Sequence, residues 1–246
     1  MLQKLLGKMR KCIEQYSLIE ENDKIAVGLS GGKDSLVLLT LLAKFRLFSP
    51  KKFKLIAITI DLFNGQSDFS KIIDYCNELN VELEIINSQI YDIVFNERKE
   101  KNPCSLCAKL RRGMLNTTAK KLGCNKVALG HTRDDLLETF FLSMFYEGRL
   151  STFAPISYLS NTQISVIRPM LFIEERETIN EAKNMPVFFN CCPANHKTER
   201  ENMKEILKYL KSKIPISNDR IFRAIISPES YNLYDKYQQK KGQKII

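Results

Sequence analysis

The sequence predicts an α/β protein, a parallel twisted sheet with helices on both faces. Three observations carry that reading. Runs rich in β-branched residues alternate with segments whose apolar residues recur at helical spacing, the pattern of crossover-connected parallel strands. The first such run, DKIAVGLS, passes through a glycine turn straight into an apolar helical segment. The informative polar motifs follow strands, at the carboxyl ends where open α/β sheets bind ligands.

Taken in order, MLQKLLGKMRKCIEQYSLI is basic and amphipathic and predicts a helix within residues 1–22. It lacks a continuous apolar region and a small-residue cleavage site, which argues against a signal peptide. No stretch approaches the roughly 18 uninterrupted apolar residues of a membrane span, so the expected location is the cytoplasm. DKIAVGLS is the first strand, and SGGKDSLVLLTLLAKFRLF is a loop and an apolar helix. KLIAITIDL, VELEIINS, CNKVALGH and the short ISVIRP are four further strands. FSKIIDYCNELN, RRGMLNTTAKKLG, DDLLETFFLSMFY and EERETINEAKNM are the intervening helices, and YDIVFNERKEKNPCSLCAKLRR is a polar stretch leading into one of them. An α/β domain over 23–190 results.

Beyond Cys191 the chain becomes charged, and residues 191–246 read as a helical, basic C-terminal segment. A chain of 246 residues with 44% hydrophobic content can bury one generous α/β core. Its net charge of +10 attracts phosphate backbones, although a Lys-, Ile- and Asn-rich composition also fits an AT-rich genome.

Ser30-Gly31-Gly32-Lys33-Asp34-Ser35 sits between strand and helix. Two glycines let backbone N–H groups approach a ligand, and the following helix start adds unpaired donors and a positive dipole end. The spacing is not that of a Walker A loop. A plain helix cap by Ser30 and Asp34 is the competing reading. Gly130-His131-Thr132-Arg133-Asp134-Asp135 follows the fourth strand, and a carboxylate there suits Mg²⁺ beside phosphates. Asp135 is the candidate contact and Asp134 the candidate helix cap. Asp61 ends the second strand as a nucleoside contact or an ordinary turn residue. Arg168 is a candidate for phosphate or RNA, or for a structural ion pair.

Seven cysteines are many for a chain in a reducing compartment. Cys12, Cys76 and Cys124 stand alone and read as small buried hydrophobes. Cys104 and Cys107 form a CxxC beside Lys109, Arg111 and Arg112, whose charge favours thiolates. By itself this pair fits half a zinc site, a redox pair or two ligands of an iron–sulfur cluster.

SGGKDS, CSLCAKLRR, GHTRDDLLETFFLSMFYEGRL, IRP and the CCP region before ERENMKEIL together resemble the PP-loop ATP pyrophosphatases, whose fold is adenine nucleotide alpha hydrolase-like. Within them the chain is most similar to the tRNA 2-thiocytidine synthetase family, over about Asp23 to Leu210. The resemblance implies an ATP-dependent tRNA sulfurtransferase that adenylates the C2 oxygen of a base and replaces it with sulfur. It implies ATP and Mg²⁺ on residues 30–35, Asp61, Gly130, His131, Arg168 and Asp135. It also implies a 4Fe–4S cluster on Cys104, Cys107 and Cys192, with Cys191 as the alternative third ligand. These two cysteines are adjacent where the family usually has CxxC. Implied partners are tRNA and a sulfur donor such as a cysteine desulfurase, and a homodimer is compatible. Rival expectations are a cluster-free adenylating amide ligase, an enzyme acting on a non-tRNA substrate, and a non-catalytic redox or RNA-binding module.

Overall fold

The computed structural model describes residues 1–98, 103–188 and 199–227. Among these, β1 (Asp23–Gly28), β2 (Phe53–Asp61), β3 (Glu82–Asn87), β4 (Lys126–Ala128), β5 (Ile156–Leu159) and β6 (Ile164–Ile167) form one sheet in the order β3-β2-β1-β4-β6-β5. All pairings are parallel except β5 with β6. The helices are α1 (Leu2–Gln15), α2 (Lys33–Arg46), α3 (Ser70–Glu78), α4 (Pro103–Lys121), α5 (Arg133–Glu147), α6 (Glu175–Glu181), α7 (Glu199–Lys213) and α8 (Ser217–Ile226). A wide π-type turn over Asp92–Glu97 precedes α4.

The chain divides into two compact units. One comprises residues 1–136 and 152–196 and carries the sheet; the other comprises 137–151 and 197–246. This division does not follow the sequence boundaries at 22 and 190. In the sheet unit, α1 buries Leu5, Met9, Cys12 and Ile13, an i, i+4, i+7, i+8 stripe, and Lys8 pairs with Glu177 on α6 at 2.5 Å. Helix α2 is buried on every side, from Ser35 to Ala43 without interruption, as a helix sandwiched inside a domain must be. At the amino ends of the strands, Lys126 and Asp23 form a buried ion pair at 2.8 Å. The Lys126 ammonium also donates to Leu18 O, and Asn125 donates to Asp23. Paired and hydrogen-bonded in this way, the two charges are tolerable inside a protein.

In the second unit, Glu138 is buried and receives Arg200 from α7 at 3.2 Å. Tyr146 of α5 donates to Glu199.

Three elements differ from the sequence reading. Strand β5 forms a hairpin with β6, and its alternating half-exposed pattern is too short and polar to stand out beforehand. Pro103–Lys121 is helical, so the CxxC lies inside a helix and not in a polar lead-in. Helix α8 occupies what reads as the start of a basic tail. Among the described residues, no helix is long and apolar enough to cross a membrane.

Candidate active site

Order reverses between β1 and β4: the chain leaves β1 for β2 on one side and reaches β4 on the other, opening a crevice at their carboxyl ends. Gly31 in the loop after β1 has φ +78°, a conformation L side chains rarely adopt. A Cβ on it would also lie 2.9 Å from Phe188 Cβ, and Phe188 N–H donates to Gly31 O. Gly32 caps α2, its N–H donating to Ser30 Oγ at 3.3 Å. The Ser35 hydroxyl donates to Gly32 O at 2.8 Å and lies 3.2 Å from Ser30 Oγ. The loop is held in shape by its own hydroxyls; Ser35 N–H donates to Gly32 O at 3.1 Å, while helix geometry leaves the Lys33 and Asp34 amides without an intrahelical acceptor.

Gly130, after β4, crosses directly over this loop. A Cβ there would lie 2.9 Å from the Asp34 carbonyl carbon and oxygen and 3.1 Å from Ser35 N. The two backbones thus close a cavity of about 270 Å³ lined by Gly28, Ser30, Gly32, Asp34 and Ser35 on one side and by Gly130, His131 and Asp135 on the other. Small and lined by serine hydroxyls and the backbone at the start of α2, it suits phosphate groups.

The charged members of the two motifs divide their work differently from the sequence reading. Lys33 does not line the cavity. Its ammonium is held by Asp34 at 2.8 Å and by Glu175 on α6 at 2.9 Å. Burial alone would lower its pKa, but the hydrogen bonds and charges of these carboxylates prevail and raise it. Asp34 lines the cavity, yet its Oδ1 accepts from Thr178 at 2.5 Å. Thr132, not Asp134, caps α5. The Asp135 carboxylate accepts the Thr132 N–H at 2.8 Å, and Asp135 N–H returns toward Thr132 Oγ at 3.4 Å, a capping-box geometry. Asp134 instead accepts the Glu175 N–H at 2.7 Å, and burial raises its pKa.

Asp61 turns out to organise its own loop. It accepts from Gly65 N–H and Ser67 Oγ–H, each at 2.6 Å, and from Phe63 N–H at 3.0 Å, and it lines neither cavity described here. Burial alone would raise its pKa, but the bonds from Ser67, Phe63 and Gly65 outweigh it and hold the carboxyl below its ordinary value.

A second cavity, of about 800 Å³, shares Gly28, Ser30, Leu129 and His131 with the first. Its walls are Ile58 and Ile60 of β2, Ser105, Ala108, Lys109, Arg111, Arg112 and Asn116 of α4, and Phe153 and Arg168 beside the β5–β6 hairpin. Cys104 is exposed and Cys107 buried among Leu62, Ile90 and Val94. The cysteines lie one turn apart at the head of α4, with Ala108 and Arg111 one and two turns farther along the Cys104 face. Two cysteines one helical turn apart can supply two of the ligands of an iron–sulfur cluster. Cys191 and Cys192 lie outside the described residues, and among the described residues no three His, Cys, Asp or Glu side chains gather as a metal site. The solitary cysteines are buried: burial pushes the Cys12 thiol up to about 12 and the Cys76 thiol up to about 11.

The PP-loop domain family model matches residues 1–207. A tRNA-cytidine(32) 2-sulfurtransferase from Geobacter metallireducens is 38% identical over 244 residues, covering 96% of this chain and 94% of the relative. The chain belongs to the PP-loop tRNA-cytidine 2-sulfurtransferase family. The enzyme of that name from Aliivibrio fischeri is 38% identical over 230 residues, 90% of this chain and 75% of the relative. A U34-tRNA thiolase from Methanococcus maripaludis, solved with its 4Fe–4S cluster, superposes with a TM-score of 0.70 at 26% identity over 92% of this chain and 79% of that one. An NH3-dependent NAD synthetase from Campylobacter jejuni (TM-score 0.50, 18% identity, 98% of each chain) shares the fold.

Sequence reasoning overlooked Phe153, Asn116, Thr178 and Glu175. None sits in a motif, and each is brought to the crevice or its supports by the packing of the β5–β6 hairpin, α4 and α6.

The Gly130 contact predicts that Gly130→Ala lowers affinity for a non-hydrolysable ATP analogue about tenfold or more, equivalent to an overpacking cost of about 1–3 kcal/mol. Titration calorimetry measures it, and unchanged affinity would show that the two backbones do not need this close approach. For Asp61, whose folded pKa is depressed, the stabilisation is complete above the unfolded value near 3.8 and is lost as pH falls through the lower folded value. Thermal melts should therefore show part of the wild-type loss of stability just below about pH 4 missing from Asp61→Asn.

Proposed function

We propose that this chain is an ATP-dependent tRNA sulfurtransferase that replaces the C2 oxygen of a cytidine, position 32 of the anticodon loop, with sulfur. One observation carries the reading: the small cavity under Gly130 shares Gly28, Ser30, Leu129 and His131 with a larger cavity walled by the helix that bears Cys104 and Cys107. The relatives reported above, matched over 75% to 94% of their length, carry the name tRNA-cytidine(32) 2-sulfurtransferase.

ATP phosphates would rest on the Lys33 and Asp34 amides at the start of α2 and on the Ser30 and Ser35 hydroxyls. Asp34 and Asp135, both on the cavity wall, would hold Mg²⁺. The cytidine O2 attacks the α-phosphorus; the new P–O bond forms as the bond to the bridging oxygen breaks, and pyrophosphate leaves. Amides already aimed at the phosphates stabilise the departing charge without reorganisation. Sulfur then attacks C2, and AMP departs carrying the former base oxygen. A 4Fe–4S cluster on Cys104, Cys107 and Cys192 (or Cys191) supplies, when bound, an iron position not taken by protein at which sulfur can be presented. Lys109, Arg111 and Arg112 keep that end of the cavity positive, which favours both thiolates and RNA. The apolar walls from Ile58, Ile60 and Leu129 exclude water, which would otherwise hydrolyse the adenylate. Lys33 and Asp61 take no direct part; they fix α6 and the loop after β2. Sulfur would come from a donor such as a cysteine desulfurase, in the cytoplasm, and a homodimer is compatible.

Anaerobic reaction of the iron-loaded protein with tRNA, ATP and a sulfide source should yield 2-thiocytidine on nucleoside mass spectrometry. Cys104→Ala should reduce it at least about a hundredfold and lose iron while still binding ATP. ATP-dependent ligation of an amine to the base, in a protein that takes up no iron, would replace this reading with an amide ligase.

A further inference from the structure

The larger cavity is unusual in its charge. Lys109, Arg111, Arg112 and Arg168 all line it and, among the described residues, no aspartate or glutamate does, whereas the smaller cavity carries Asp34 and Asp135. Arg168 enters from the end of β6 with its guanidinium 5.1 Å from the Phe153 ring centre. Nη1 is oriented by Ala154 O at 2.7 Å and Ser157 Oγ at 3.3 Å. Its buried Nε has no hydrogen-bond partner, and neither does the buried Nε of Arg111. Burial, and then the positive charge of Arg112, press the Arg168 pKa below its usual value. Arg168, half-buried beside the positive charge of Arg112 in this lining, is held at an energetic cost that an anion would relieve.

We propose that Arg112 and Arg168 clamp a phosphodiester of the RNA beside the nucleotide to be thiolated, seating that nucleotide in the larger cavity. This rests on the tRNA-thiolating reading above. The ATP phosphates have their own cavity, with amides for the oxygens and carboxylates for a metal, so the cations of the larger cavity serve a second polyanion. The fork of Arg168 is fixed by the hairpin, and Arg112 stands on the same helix as the CxxC. A phosphodiester held between them ties the RNA strand to both the ATP side and the sulfur side of the site. Guanidinium groups suit this role because they present paired donors to phosphate oxygens.

The test is binding of a fluorescent anticodon stem-loop RNA, with the ATP analogue present, as a function of salt. Arg112→Gln removes an exposed side chain and leaves the fold intact; Arg168→Lys keeps the charge, and Arg168→Gln removes it. Arg112→Gln and Arg168→Gln should each weaken RNA binding about tenfold at moderate salt and reduce the slope of log affinity against log salt by about one. Arg168→Lys should keep the wild-type slope, and affinity for the ATP analogue should be unchanged throughout. If the glutamine variants keep the wild-type slope, the clamp is wrong while the sulfurtransferase reading stands. If they lose ATP affinity instead, the cations serve ATP and the proposal fails. A wild-type protein that does not bind the RNA would overturn both.

Discussion

The structure depends on one close approach: the backbone of Gly130 lying on the backbone of Asp34 and Ser35. Two glycine-bearing loops, one after β1 and one after β4, can form a common wall only because neighbouring parallel strands deliver them side by side. Any side chain at 130 would push them apart by the width of a methyl group. Hydroxyls and amides then complete a phosphate-sized space at almost no conformational cost. The rest of the sheet unit can be understood as support for that contact. Burial of α2 fixes the amides, the hairpin of β5 and β6 sets the opposite rim, and the Lys126–Asp23 pair anchors the far ends of the central strands.

Charge is distributed around this contact with a clear separation. Lys33, in the middle of the phosphate motif, is bound to Asp34 and Glu175, and Asp134 holds the Glu175 amide. These bonds make α6 a buttress behind the loop, and the smaller cavity is lined by backbone donors and serine hydroxyls instead. Such donors are rigid, and rigid dipoles stabilise developing charge better than a mobile ammonium does. The cations that line the larger cavity stand on α4 and at Arg168, where a second polyanionic substrate is required by the chemistry.

Much of this was legible in the sequence. The alternating β-branched and helical segments gave the fold class, because parallel strands buried on both faces leave that imprint. The glycine motifs were legible because phosphate-binding turns restrict residue type. Less visible were features set by three-dimensional packing. Whether Lys33 faces ligand or α6 depends on where Glu175 lies, about 140 residues later. Asp61 at a strand end satisfies a nucleoside contact and a loop-organising turn equally well in sequence, and the bonds it accepts from Gly65 and Ser67 appear only once the loop has folded back. Thr132 and Asp135 carry the capping pattern of a hydroxyl and a carboxylate three apart, yet a neighbouring aspartate obscured it. Phe153 and β5 lie in a short edge hairpin whose pattern carries little information alone.

The central claim is that ATP is used to turn the cytidine O2 into a leaving group. It is tested most directly with a stem-loop RNA carrying ¹⁸O at C2 of the target cytidine, followed through one turnover by mass spectrometry. The account predicts that the label appears in AMP while the base gains sulfur. Unlabelled AMP, with ¹⁸O retained in the RNA, would mean that ATP is cleaved without activating the base, and the mechanism drawn from this site would be wrong.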